Sequence, residues 1–499
     1  MAEPDAPTPG DRLRQWLAAS GRHATFIETH VSVVALTADR AYKVKKAVRF
    51  PFLDLSTRER RLAMCWREVH LNRRLAPDVY LGVIDITGAA GEPVEHAIEM
   101  IRLPDAIRLD HLLTDADTPA RLTQLAHHLV EFHATADGSD AIDQSGTAAA
   151  VRRLWRDEIA GLTPFAGTVV PRRDAQACAR LARNYIDGRA ALFTDRVRRG
   201  RIRDGHGDLR CDDVFFLPDG IRIIDCLEFD DRRRRGDVLT DVAFLAMDLQ
   251  WRGREDLAEW FLSEYSRLSG DHWPQSLAHH WIAYFAHVRA KVACLNGGVG
   301  GAAARRDAEE HIALARTHLR LAQVHLVVVG GLPGTGKSTV TRELARRGEF
   351  DVLRSDVVRR ELPALVAADP GVRYSAAGRA AVYRSMLHRA GKAMGLGRSV
   401  ILDASWAARD DRRDAANLAA ACGAELVQLC CVAPTSVTQQ RIRDRLSAGT
   451  DESEADVAVA RSMAARFDAW PEASVIATTG DIAESVAAAA AALTDTLIR

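Results

Sequence analysis

Between residues 331 and 338 the chain reads Gly331-Leu332-Pro333-Gly334-Thr335-Gly336-Lys337-Ser338, which fits G-x-x-x-x-G-K-[ST] without a mismatch. No other stretch constrains the backbone as tightly. Its glycines let consecutive N–H groups fold into a concave nest for phosphate, Lys337 can reach β/γ oxygens, and Ser338 can ligate Mg²⁺. The flanks suit this use. His325-Leu326-Val327-Val328-Val329 is a short β-branched run, and Ser338 to Leu344 reads as a helix, so the loop lies between a strand and a helix N-terminus. Gly331, Pro333, Gly334, Thr335, Gly336, Lys337, Ser338 and Thr339 are therefore the candidate ATP contacts.

From His325 onward strand and helix signals alternate. Strands are expected at 325–330, 351–354, 399–403, 425–432 and 474–478, which specifies an α/β domain with a parallel five-stranded sheet. Asp356 and Arg359 follow the second strand at the carboxyl edge, where ligands bind in open α/β sheets. A carboxylate there can accept a hydroxyl proton, and an arginine one helical turn on can hold an acceptor anion. Asp403 ends the apolar run Val400-Ile401-Leu402 and suits a role near Mg²⁺ or that of an ordinary strand-end carboxylate. This half resembles the small P-loop kinases of the adenylate-kinase-like group, including gluconate kinase, zeta-toxin and polynucleotide kinase relatives. The resemblance implies that Asp356 activates the acceptor with Arg359 beside it. It also implies that Arg441 and Arg445, at i and i+4, are lid arginines on the transferred phosphate, the alternative being a solvated basic face. Tyr374, Tyr383 and Arg409 are further pocket candidates.

The chain has 499 residues, 47% of them hydrophobic, enough for two or three cores. Lys+Arg and Asp+Glu are 67 each, so no global basic field favours nucleic acid or anionic lipid. Eight cysteines show no C-x-x-C pair, which suits a reducing cytoplasmic compartment. The start, Met1-Ala2-Glu3-Pro4-Asp5, lacks an apolar signal core, and no apolar run reaches membrane-spanning length.

Residues 1–10 read as a disordered leader, followed by a helix near Arg12–Ala19. Thr29–Leu36 and Arg40–Lys45 read as paired strands, and period-two alternation puts Lys43 and Lys45 on one face. Thr57–Leu75 has a helical period, with Glu68 among its apolar residues, and Tyr80–Ile86 and Ala97–Leu103 are further strands. Around Asp208, the run Val214-Phe215-Phe216, the turn Pro218-Asp219-Gly220 and the run Ile221–Ile224 predict a hairpin. It would gather Asp208, Asp213 and Asp225 near one another. Three carboxylates so placed repel unless a divalent cation neutralises them; a solvated acidic loop is the alternative.

His206-Gly207-Asp208-Leu209, followed by Ile224-Asp225, resembles the catalytic and metal segments of the aminoglycoside phosphotransferase-like kinases. The resemblance spans most of residues 25–295 and implies an α+β, bilobal protein-kinase-like fold. It further implies Asp208 as catalytic base, Asp225 as a Mg²⁺ ligand and Glu68 as the helix acid paired with Lys43, with Lys45 the alternative partner. Asp241 resembles the acid that anchors the catalytic loop. Two features depart from the pattern. The family's metal-binding Asn is Asp213 here, and the loop expected over the phosphates, about Glu28–Val34, has no glycine, leaving Thr29, His30 and Ser32 to make its contacts. The basic run Arg232-Arg233-Arg234-Arg235 reads as a salt-bridged loop or a nucleic-acid arm. Arg289 and Lys291 read as surface charges or as groups that hold a substrate phosphate.

The glycine cluster Gly297–Gly301 marks the expected boundary. The expected division is a leader and first helix at 1–24, a kinase-like N-lobe at 25–100 and C-lobe at 101–296, a linker and connecting helix at 297–323, and the P-loop domain at 324–499. Together these readings describe an ATP- and Mg²⁺-dependent phosphotransferase with two modules acting on hydroxyl groups of small molecules. Two alternatives stay open: a pseudokinase half that binds a ligand and regulates the P-loop half, and a kinase of nucleic-acid 5′-hydroxyls.

Overall fold

The computed structural model describes residues 7–50, 53–88, 90–362, 372, 375–448 and 456–498. The chain forms two compact units, one from residues 1–146 and 196–272, the other from 147–195 and 273–499. Residues 147–195 and 273–296, which the sequence groups with the kinase-like lobe, thus cluster with the P-loop region. No described helix is long and apolar enough to cross a membrane.

The first unit opens with a helix, Pro9–Ala19, that starts inside the expected leader because Thr8 and Asp11 form a reciprocal capping box. Residues 1–6 of that leader lie outside the described residues. An antiparallel sheet follows, made of β1 (Thr25–Glu28), β2 (Ser32–Leu36), β3 (Arg40–Lys45), β4 (Tyr80–Thr87) and β5 (Pro93–Ile101), in the order β1-β2-β3-β5-β4. Thr29–Leu36, expected as one strand, is extended only from Ser32. Thr29 Oγ1 takes the Ser32 amide at 3.0 Å and turns the chain between β1 and β2. On β3, Tyr42 and Val44 pack with Leu13 and Leu17 of the first helix. Ala41, on the opposite face, packs with Cys65 and Val69 of the helix Arg58–Asn72. Lys43 and Lys45 share that second face, as the alternation requires.

The rest of this unit is mostly helical. It carries two antiparallel ribbons, β6 (Ile202–Asp204) with β9 (Arg235–Asp237), and β7 (Val214–Leu217) with β8 (Gly220–Ile223). The second ribbon is the expected Pro-Asp-Gly hairpin, with Leu217 opposite Gly220. The apolar stripe Leu122, Leu125 and Leu129 is fully buried, and so is nearly all of the helix Leu239–Trp251.

The second unit contains a parallel sheet of β10 (His325–Gly330), β11 (Phe350–Arg354), β12 (Ser399–Asp403), β13 (Glu425–Val432) and β14 (Ser474–Ala477), in the order β11-β12-β10-β13-β14. Apolar clusters cover both faces. Ahead of the sheet come Ala148–Leu162, Arg172–Gly188 and the helical span Gln275–Leu321. That last span corrects the reading of Gly297–Gly301 as a break between structures. Helix continues through the cluster except at Gly301, whose φ of 55° and ψ of −130° are non-helical. There the chain doubles back, because His279 Nδ1 on one arm lies 3.0 Å from His318 Nδ1 on the other. Trp155 meets Tyr284 and His287 edge to face and His280 at a tilt, and Arg189 donates to Cys422 O at 2.6 Å. Gly188 is needed at that approach, since a Cβ there would sit 2.0 Å from Cys422 O.

Candidate functional site

In the second unit the phosphate loop leaves the carboxyl end of β10. Gly331 has φ 132° and Gly334 φ 81°, and a Cβ would fall 2.4 Å from Cys431 O at the first and 2.6 Å from Thr438 O at the second. Only glycine fits either place. Gly336, with φ 82°, leads into the helix Lys337–Arg347. Lys337 Nζ donates to Leu332 O at 2.9 Å, and the Thr335 hydroxyl donates to the same oxygen at 2.8 Å, which closes the loop over its own backbone. Burial holds the Lys337 pKa below the usual lysine value, with Asp403 opposing. Burial likewise raises that of Asp403, against Lys337 and a hydrogen bond from Ser338. Ser338 and Asp403 therefore present two hard oxygen donors side by side at the loop end, a set that fits Mg²⁺.

Arg359 donates to Asp356 Oδ1 at 2.7 Å within the helix Ser355–Glu361, so the two acceptor-side candidates meet. Arg441 donates to Thr478 O at 2.6 Å and to Gly334 O at 3.4 Å, bracing the loop from its outer side. Arg445 is close enough for its charge to lower the Lys337 pKa. The hydroxyl of Tyr383, expected in a pocket, lies 3.1 Å from Ser405 Oγ and accepts the Trp406 amide at 3.0 Å, so it shapes the chain after β12. The amide of exposed Arg409 bonds Asp468, and Tyr374 lies outside the described residues. Lys291 bonds buried Glu158 at 2.6 Å.

In the first unit the helix Arg58–Asn72 delivers Glu68 beneath β3. Arg61 on the same helix is buried and pairs with Glu95 of β5 at 2.6 Å, which fixes the helix against the sheet. Lys43 Nζ lies 2.7 Å from Glu68 Oε1 and 2.6 Å from Asp225 Oδ1. Lys45, almost completely buried, meets Glu68 as well and bonds Glu228 Oε1 at 2.5 Å. Both lysines thus pair with Glu68. Burial opposes charge on each, yet Asp225 and Glu68 hold Lys43 above the usual lysine pKa, and Glu228 and Glu68 do so for Lys45. The Lys43 ammonium beside Asp225 keeps that carboxyl far below its ordinary range.

Asp213 goes the other way. Burial, with Asp212, Asp225 and Asp208 adding repulsion against the pull of Arg210, raises its pKa well above the carboxylate value. A carboxylate surrounded by negative charge in this way fits a divalent cation held jointly with Asp225. Among the described residues, however, no three His, Cys, Asp or Glu side chains converge as a preformed metal cage. The expected trio of Asp208, Asp213 and Asp225 is therefore not a ready-made set of ligands. Asp208 sits on a loop whose His206 and Gly207 amides both donate to Asp241, at 2.7 and 2.8 Å, with His133 Nε2 at 3.1 Å from that carboxylate. The arginine run is salt-bridged, with Arg234 and Arg235 reaching Asp204 at 2.6 and 3.0 Å.

Four residues were not singled out as site groups from the sequence. Glu228 completes the Lys45 pair. Asp225 has φ 63°, a left-handed conformation rare outside glycine, and its amide donates to the Tyr80 hydroxyl at 3.2 Å. The next amide, Cys226, donates to Asn72 Oδ1 at 2.9 Å, and Arg74 donates to Gly205 O at 2.7 Å. Two lysines on one strand face were a signal that more than one acid had to answer them.

Residues 326–470 match the family described as an AAA domain. Among solved structures, a choline/ethanolamine kinase family protein from Mesorhizobium loti aligns over 62% of this chain and 98% of its own, at 14% identity and a TM-score of 0.41. A gluconokinase from Sinorhizobium meliloti 1021 aligns over 35% of this chain and 94% of its own, at 16% identity and a TM-score of 0.27. The uncharacterized proteins Rv2004c of Mycobacterium tuberculosis and Mb2027c of Mycobacterium bovis are each 39% identical over 467 residues, which cover 92% of this chain and 93% of theirs. With both kinase-like and P-loop segments inside that aligned length, the chain belongs to the family of these mycobacterial proteins.

Proposed function

We propose that the chain is an ATP-dependent phosphotransferase with two kinase modules, each passing the γ-phosphate to a hydroxyl group of a small molecule. One observation carries the reading: each unit sets its own lysine against carboxylates, Lys337 with buried Asp403 in one and Lys43 with buried Glu68 and half-exposed Asp225 in the other. In the P-loop unit, the loop amides and Lys337 hold the phosphates. Asp356, oriented by Arg359, takes the acceptor hydroxyl proton on its carboxylate, and Arg441 keeps the loop in shape. In the kinase-like unit, Lys43 holds phosphate and Asp208 orients the acceptor. Mg²⁺, when bound by Ser338 with Asp403 or by Asp213 with Asp225, supplies positive charge that offsets the charge spreading over the transferred group.

Phosphorylation of a metabolite library that includes an oligonucleotide, by the intact chain and its Lys337→Ala and Asp208→Ala variants, tests the proposal. Each variant is expected to lose one set of products. Absence of any phosphorylated product from the wild type sinks it. Asp356→Ala is expected to slow the P-loop product by about 10²- to 10⁴-fold, the usual worth of a positioned acid–base group. A second reading, in which the first unit binds a ligand and regulates the other, draws support from Asp213 and from the glycine-free turn at Thr29, His30 and Val31. On that reading Asp208→Ala removes no product but changes the rate at which the P-loop products form.

A further inference from the structure

We infer that Tyr80 and Asn72 are positioning residues that hold Asp225 in its left-handed turn and so set the metal requirement of the kinase-like unit. The inference rests on the reading of Asp225 as a Mg²⁺ ligand. A non-glycine residue at φ 63° persists only where its surroundings over-determine it. Here every amide around it is taken. The Ile224 N–H donates to Asp213 O at 3.0 Å, that of Asp225 to the Tyr80 hydroxyl at 3.2 Å, that of Cys226 to Asn72 Oδ1 at 2.9 Å, and that of Leu227 to His206 O at 3.0 Å.

Two of the four acceptors are backbone oxygens of the segments carrying Asp213 and Asp208, so they tie the loops of the site to one another. The other two are side chains with no chemistry to perform. Asn72 ends the helix that carries Glu68, and its Nδ2 donates to Glu68 O at 2.9 Å, so one amide links the helix acid to the metal turn. Tyr80 opens β4 and is buried, and its hydroxyl oxygen reaches the strained residue itself. Asp225 Oδ1 is thereby aimed at Lys43, 2.6 Å away, while the segment stays bonded to Asp213. Loss of either side-chain acceptor frees the turn to relax toward right-handed φ, which swings the carboxylate away from its partner ligand.

The test uses the intact chain carrying Lys337→Ala, which silences the P-loop, with and without Tyr80→Phe or Asn72→Ala. Two quantities are read: the Mg²⁺ concentration for half-maximal binding of a non-hydrolysable ATP analogue, compared with binding in EDTA, and hydrogen exchange at the Asp225 and Cys226 amides. Tyr80→Phe keeps the ring and removes only the acceptor. It is expected to raise the half-saturating Mg²⁺ about fivefold, the worth of one net hydrogen bond, with EDTA binding unchanged and exchange at Asp225 faster. An unchanged Mg²⁺ requirement in both variants overturns the inference. If the Lys337→Ala chain binds no analogue at all, the nucleotide reading of this unit fails. Exchange then decides the positioning role, and equal protection with and without Tyr80→Phe overturns it.

Discussion

Lys45 shows how much a single buried charge can carry. It neutralises Glu68 and Glu228 from a position with almost no access to solvent, so its loss would leave buried Glu68 with Lys43 alone and take from buried Glu228 its bond to Lys45. Lys45→Met is expected to cost the first unit about 3–5 kcal/mol, the usual penalty for orphaning a buried charge, measured as the shift in its urea midpoint. A cost under about 1 kcal/mol would mean that water reaches these groups. Lys43 was legible as a partner of Glu68 from strand alternation and the family likeness, and Lys45 only as its alternative. Nothing in a linear pattern says that one glutamate answers two lysines, because that depends on where Glu228 returns from far along the chain. Gly331 makes the converse case. Its motif position announced it, and Gly331→Ala is expected to abolish nucleotide binding to the P-loop unit in an equilibrium binding assay, since the new methyl would overlap Cys431 O.

At the scale of elements, the parallel strands were readable because each carries a short apolar run bounded by helical sequence, and their observed limits differ from expectation by a residue at most. The helical span Gln275–Leu321 was readable only in part: a connecting helix within 297–323 was expected, the helix through the glycine cluster was not. Glycines lower helix propensity but do not forbid helix, and flanking packing around Trp155 and Cys178 carries both arms through the cluster. Only Gly301 leaves helical geometry, and a Cβ there meets nothing within 4 Å. Any penalty for substituting it is therefore one of backbone conformation alone. Gly301→Ala is expected to destabilise the second unit by about 1–3 kcal/mol, whereas a melting temperature equal to wild type would show that the hairpin bends elsewhere.

Across the second unit, five histidines that are wholly or largely buried share one electrostatic property. Burial holds the pKa of His279, His287 and His325 down to about 4 and that of His280 and His318 to about 3, all below the ordinary 6.5. Each is neutral when folded and takes a proton near pH 6.5 once unfolded, so the unfolded chain binds more protons below that pH. Stability of this unit should fall as pH drops from 6.5 toward 4, by up to about 1.4 kcal/mol per pH unit for each histidine. Calorimetry between pH 7.5 and 5 checks the sign, and His279→Leu with His318→Leu should flatten the slope. A midpoint indifferent to pH would contradict the burial of these rings.

The two units alternate along the sequence, the chain passing from one to the other after residues 146, 195 and 272. Order of synthesis then matters. When the ribosome has made residues 147–195, their packing partners from 273 onward do not yet exist, and the first unit has still to receive 196–272. That middle stretch must wait, with Trp155 and Cys178 uncovered, until the carboxyl-terminal sequence emerges. Nascent chains stalled near residue 272 are expected to be cleaved by protease within 147–195, and chains released at full length to resist it. A fragment cut out at the P-loop boundary would be born without the helices it closes upon.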